Sequence, residues 1–204
     1  MNTLFQRFPQ LAPLSNALSN AVASLVACHK RGGLIMVCGN GGSAADSGHI
    51  VGELMKGFKL RREPDAIRRD ALLRVDATGA LAEKLQEGIR AVSLPDAAAL
   101  ASAIGNDLSY EMVYAQQVFA LAKPGDVLIG LSTSGNAKNV LRAMQTARAL
   151  GVETIGFTGA HGGAMRDWCD VLLAVPETET YKVQELHLPL YHELCAAVEE
   201  ALFR

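Results

Sequence analysis

The stretch Leu34-Ile35-Met36-Val37-Cys38-Gly39-Asn40-Gly41-Gly42-Ser43-Ala44-Ala45-Asp46 decides the fold. Its first five residues are an unbroken apolar run, bounded by Gly32-Gly33 upstream and by Gly39 downstream. A run of this length between glycines reads as a strand covered on both faces, the condition of a parallel sheet. After Cys38 the chain turns glycine-rich and then helix-forming. Glycines let the backbone turn tightly and approach a ligand, and a helix beginning there turns unpaired N–H groups toward an anion. Gly39, Gly41 and Ala44 also fit the dinucleotide fingerprint G-x-G-x-x-[GA]. That reading wants an acidic residue roughly 20 residues on, at the end of the second strand. Here the interval lands in basic sequence, and the second strand ends far later, near Asp96.

Working outward, residues 14–29 carry apolar side chains at helical spacing and stop at Lys30, Arg31 and Gly32-Gly33. Short apolar runs recur at 127–131, 154–157 and 171–175, with a weaker one at 91–94, and helical segments such as 137–150 lie between them. This alternation predicts an α/β fold, a three-layer αβα sandwich around a five-stranded parallel sheet. The final stretch, 183–203, has helical periodicity despite Pro189, which is expected to kink it or to start a new helix. Between about 60 and 90 lies a charged insertion, expected to be one helix over 67–89 interrupted near Thr78-Gly79.

The chain has 204 residues, enough for one substantial core, and we expect one domain over 1–204 with an N-terminal helix at about 10–31. Half the residues are hydrophobic and the formal net charge is −2, which does not suggest nucleic acid. The cluster Lys56, Lys59, Arg61, Arg62, Arg68 and Arg69 reads as solvated helix faces rather than as a phosphate-attracting patch. No charged leader with an apolar run and cleavage site opens the chain, and no stretch is expected to span a membrane, which favours the cytoplasm. The cysteines, Cys28, Cys38, Cys169 and Cys195, are widely spaced without a C-x-x-C pair, so we expect buried free thiols.

A second loop of the first kind follows the run at 127–131: Leu131-Ser132-Thr133-Ser134-Gly135-Asn136, again opening a helix. Its hydroxyls and successive N–H groups suit a phosphate monoester. Ser, Thr and Asn are also ordinary helix caps. Two such loops at the carboxyl ends of strands in one sheet, however, converge where open α/β sheets bind ligands.

The segments CGNGGSAADSGH and LSTSGN resemble the two phosphate-binding loops of the sugar isomerase (SIS) domain, and within that family the chain is most similar to the phosphoheptose isomerases. The resemblance implies a flavodoxin-like SIS fold with substrate bound by Asn40, Gly41, Gly42, Ser43, Ser132, Thr133, Ser134 and Gln184. It also implies that Asp107, in Gly105-Asn106-Asp107, faces the sugar. By the same resemblance Glu53 and His192 are the catalytic acid–base pair, and one zinc ion per subunit is held by His49, Glu53, Gln184 and His192. Homotetramers with sites at subunit interfaces are implied as well. The chain departs from the family pattern at Ala137, where another serine is usual, and at Tyr181, where an aspartate that touches the sugar is common.

The residues themselves agree with such chemistry. His49 and Glu53 are four apart and so share one helix face, and Gln184 and His192 lie on helical sequence. Aldose–ketose isomerisation moves a proton between adjacent carbons through an enediol while the oxygens exchange a proton. A carboxylate suits the first transfer and an imidazole the second. Zinc would polarise the carbonyl, and two imidazoles, a carboxylate and an amide oxygen are plausible ligands. Each of His49 and Glu53 taken alone reads as helix surface; the four together favour a site. His187 reads as a packing residue. The rival readings are a non-catalytic SIS-domain binding protein associated with a replication initiator, a phosphosugar-sensing regulator, and an isomerase for another phosphosugar. Glu53 and His192 argue against the first, and the lack of a DNA-binding domain against the second.

Overall fold

The computed structural model describes residues 2–204. Five parallel strands run β1 (Ile35–Cys38), β2 (Ala91–Ser93), β3 (Val127–Leu131), β4 (Glu153–Thr158) and β5 (Val171–Ala174), in the spatial order β2-β1-β3-β4-β5. This is the flavodoxin-like order, in which the chain's direction of travel across the sheet reverses between β1 and β3. The weak run at 91–94 is therefore a genuine strand, at the sheet edge beside β1.

Alternation along the strands builds the two outer layers. Ile35 and Val37 of β1, with Val127, Ile129 and Leu131 of β3, face one core, while Met36, Cys38 and Leu128 face the other. The first core is covered by α1 (Asn2–Arg7), α2 (Ser15–Lys30), α3 (Gly42–Met55) and α9 (Thr180–Phe203). The second is covered by α6 (Ala98–Asp107), α7 (Val113–Leu121) and α8 (Lys138–Ala149). Ile35, Val37 and Ile129 are wholly buried, each contributing about 1.5–3 kcal/mol over an exposed position.

Several sequence expectations need correction. The N-terminal helix begins only at Ser15, because Pro9 and Pro13 hold residues 9–14 in a 3-10 turn, and α1 precedes it. The stretch Pro9–Lys30 is also long and apolar enough to cross a membrane, with a mean hydropathy of 1.3. One of its faces, through Leu11, Leu18, Ala21, Leu25 and Cys28, packs into the core shared with β5 and α9, while Asn16, Asn20 and Lys30 are exposed. The insertion is not one helix to residue 89. α4 (Ala66–Val75) and α5 (Ala80–Lys84) are separated where Asp76 accepts hydrogen bonds from Thr78 and Leu81, and residues 85–90 run irregularly into β2. α4 buries no residue, leaving Ile67 and Val75 about four-fifths exposed.

Pro189 starts no new helix, since α9 is continuous from Thr180 to Phe203. The carbonyl it leaves without an N–H belongs to Glu185, an exposed residue, where water can serve it. Cys28, Cys38 and Cys195 are buried and Cys169 partly so, all as free thiols.

The basic cluster splits. Lys56, Arg61 and Arg68 are exposed, but the Arg62 side chain is fully buried. Its guanidinium donates to Glu199 Oε1 at 2.8 Å, to the Leu54 carbonyl at 2.6 Å and to the Glu53 carbonyl at 3.1 Å, and lies over the Phe203 ring. Glu199 also accepts the backbone N–H groups of Phe58, Lys59 and Leu60. Arg62 thus caps the carboxyl end of α3 and fastens it to α9.

Candidate active site

Both Ser/Gly loops leave neighbouring strands at the point of reversal, β1 and β3, paired in register so that Cys38 lies opposite Gly130. In the first loop Gly41 takes φ +55°, a conformation that side chains disfavour, and α3 starts at once after it. In the second, Gly135 takes φ +68°, and a Cβ there would stand 1.9 Å from the Gly162 carbonyl oxygen, so only glycine allows that approach. The loops meet round a cavity of about 140 Å³ lined by Asn40, Ser43, Ser132, Thr133 and Ser134, with Thr180 and Gln184 from the start of α9. Three helix beginnings, of α3, α8 and α9, therefore lie about one small polar cavity, an arrangement that favours an anion.

Several polar groups here are held by others. Asn40 and Asn139 exchange a reciprocal pair of amide hydrogen bonds, each of 2.8 Å, and the Tyr114 hydroxyl donates to the Gly39 carbonyl at 2.5 Å. Burial raises the Tyr114 phenol well above its ordinary value, so it remains a donor. Asn136 does not face the cavity: it accepts from the Ala164 N–H and donates to the Ser134 carbonyl, and so shapes the loop. Ala137 N–H donates to Ser132 Oγ at 3.3 Å.

Further along, α3 and α9 run side by side in the same direction, and their residues meet at two levels, with a third contact past the end of α3. Gln184 lies against Gly42, where an added Cβ would stand 2.7 Å from Nε2. Two turns on, His49 Nε2 is 3.2 Å from Glu53 Oε1 and 3.3 Å from His192 Nε2, and the Tyr191 hydroxyl bridges His49 Nδ1 at 3.0 Å and Asp46 Oδ1 at 3.1 Å. Beyond these lies the Arg62–Glu199 pair. Burial, and then the neighbouring His49, lower the His192 pKa, leaving a neutral imidazole at neutral pH. Burial raises Asp46, against the pull of Tyr191, His49 and His192. His192 also borders an open cavity of about 520 Å³ with Arg7, Phe8, Phe58 and Lys59.

The structure thus gathers Asn40, Gly42, Ser43, Ser132, Thr133, Ser134 and Gln184 at the anion cavity and His49, Glu53 and His192 in a second group. Asp107 stays apart, exposed at the end of α6 with its carboxylate accepting from Asn106. Tyr181 is exposed. Sequence reasoning missed Thr180, Tyr114, Asn139, Asp46 and Tyr191. Asp46 was within reach, three residues before His49 on one helix face, and Tyr191 adjoins His192.

For zinc, the donors fit in kind. Their separations of 3.2 and 3.3 Å also match the roughly 3.3 Å between tetrahedral ligands with bonds of about 2.0–2.1 Å. Among the described residues no three His, Cys, Asp or Glu side chains surround a common point, and Gln184 would have to swing away from Gly42 to join them.

An anion cavity at the strand reversal, joined by a carboxylate and an imidazole further along one helix pair, defines a phosphosugar site. Residues 4–67 and 75–159 match the SIS domain family. The gap, 68–74, falls within α4 of the insertion. The chain is 40% identical over 193 residues to a phosphoheptose isomerase from Burkholderia pseudomallei, covering 95% of this chain and 84% of that one. It is 37% identical to one from Rhodospirillum rubrum, covering 96% and 91%. The phosphoheptose isomerase structure from Neisseria gonorrhoeae superposes with a TM-score of 0.75 at 32% identity, over 92% of this chain and 87% of that one. That from Francisella tularensis gives 0.79 at 27%, over 98% and 96%. The chain belongs to the SIS domain family and, within it, to the phosphoheptose isomerases.

Proposed function

We propose that the chain is an aldose–ketose isomerase that converts sedoheptulose 7-phosphate to D-glycero-D-manno-heptose 7-phosphate, in the cytoplasm, for heptose synthesis toward bacterial surface glycans. The observation that carries this reading is the ladder between α3 and α9. Ser43 at the anion cavity and Glu53 are ten residues apart on α3, about 15 Å of helical rise, and side chains lean back toward the helix start. A seven-carbon chain with phosphate on its last carbon and reacting carbons at its first two suits that reach.

The phosphate sits between the loops, where Ser43, Ser132, Thr133, Ser134 and backbone N–H groups donate to it. Glu53 takes the carbon-bound proton and returns it to the adjacent carbon. His192, kept neutral by burial, accepts a proton from one substrate oxygen and gives it to the other. Zinc, one ion per chain, would be held by His49, Glu53 and His192, with Gln184 as the fourth ligand implied by the family, and would supply polarisation of the carbonyl and stabilisation of developing negative charge on oxygen. By the family resemblance the chain assembles as a homotetramer with sites at subunit interfaces, and Asp107, which lies outside both groups of its own chain, faces the sugar of such a shared site. Exposed Tyr110, Phe119 and Leu121 are apolar surface that such an assembly would cover.

The test is to incubate the zinc-loaded protein with sedoheptulose 7-phosphate in deuterated water. Deuterium entering the product aldoheptose is the expected result; no exchange with this or related ketose phosphates rejects the enzyme and favours a binding protein. Light scattering of the purified protein checks the tetramer.

A further inference from the structure

We infer that Asp46 and Tyr191 are positioning residues that fix His49 in the tautomer protonated on Nδ1, so that its Nε2 lone pair faces Glu53 and His192. The inference deepens the isomerase reading and rests on it for its consequence in turnover. The Tyr191 side chain is wholly buried between α3 and α9, with its oxygen 3.1 Å from Asp46 Oδ1 and 3.0 Å from His49 Nδ1. A phenol has one hydrogen to give, and a carboxylate oxygen can only accept. The hydroxyl therefore donates to Asp46, and the 3.0 Å contact to His49 is a hydrogen bond only if Nδ1 carries the proton and Tyr191 accepts it.

The consequence falls on the other ring nitrogen. In the neutral ring Nε2 is then an acceptor, 3.2 Å from Glu53 Oε1, another acceptor. Two facing lone pairs repel unless a proton or a cation lies between them. Asp46 and Tyr191 thus make the space beside His49 Nε2 one that attracts positive charge, with His192 Nε2 at 3.3 Å completing its edge. A carboxylate acting through an intermediate group to orient a histidine is how outer partners tune metal-binding and catalytic imidazoles. Edge-to-face packing of the Tyr191 ring on both His49 and His192 holds the same geometry from the apolar side.

The test reads the tautomer directly. Nitrogen-15 NMR of protein labelled in histidine, free of metal and substrate and at alkaline pH, where no extra proton lies between His49 Nε2 and Glu53, with the His49 signals identified from H49Q, should show Nδ1 protonated and Nε2 bare. Tyr191→Phe keeps the ring and removes the hydroxyl, and should leave His49 a mixture of tautomers. Asp46→Ala, at a half-exposed position, frees the hydroxyl to donate to Nδ1 and should shift His49 toward the Nε2-protonated form. Both variants should bind zinc about 10- to 100-fold more weakly and lose kcat by a similar factor with KM little changed. Finding Nε2 protonated in the native protein, or the same tautomer in all three proteins, overturns the inference. The native measurement stands even if a variant fails to fold. A native protein with the expected tautomer and no turnover would reject the isomerase reading alone.

Discussion

The two ends of α3 do related work with different materials. At its start the anion cavity is made from contiguous stretches, 39–43 and 132–136, whose glycines, hydroxyls and free N–H groups need only a strand before them and a helix after. Toward its end, the contacts join residues far apart in the chain: His49 with Tyr191 and His192, and Arg62 with Glu199. The first end offers an anion many contacts at once. The second is a chain of single, mutually dependent contacts.

The sharpest way to break this contrast is Glu53→Gln. It should lower kcat by about 10³- to 10⁴-fold with KM nearly unchanged in steady-state assays, because binding resides at the other end of the helix. Next in size, Arg62→Met leaves Glu199 buried without its cation and should cost about 3–4 kcal/mol in urea unfolding; a loss under 1 kcal/mol would show that the pair is dispensable.

Between the two ends, on α9, His187 is wholly buried, with Nε2 at the Thr158 carbonyl and Nδ1 without a partner, and desolvation lowers its pKa to about 4. The unfolded chain takes up this proton near pH 6.5 while the folded one does not. Stability is therefore fully present above that pH and is lost as pH falls toward 4, by about 2–3 kcal/mol. His187→Phe should flatten that slope in pH-dependent unfolding curves. The smallest effect belongs to the cavity: Gly42→Ala pushes on the flexible end of Gln184 and should raise KM about two- to tenfold while leaving the melting temperature in place.

Much of the fold was legible because it is periodic. Runs such as 34–38 and 127–131 fill strands buried on both faces, and the edge strand at 91–93, the weakest signal, was still found. The failures have physical causes. Arg62 looked like part of a solvated charge run, since a local window cannot show a carboxylate 137 positions later waiting in the core. Pro189 looked like a break, since its cost depends on whether the deprived carbonyl reaches water. The insertion's helical composition overstated its length, because Asp76 finds better partners in a turn than in a continued helix.

By itself the sequence determined the layers, the two Ser/Gly loops and the pairing of His49 with Glu53, all consequences of spacing within one element. Only the tertiary structure decided that α3 and α9 lie parallel at one register, bringing Gln184 to Gly42, Tyr191 and His192 to His49, and Glu199 to Arg62. That register is set by how two helices pack on a shared sheet face, through contacts between residues more than 130 positions apart, and no local periodicity encodes it.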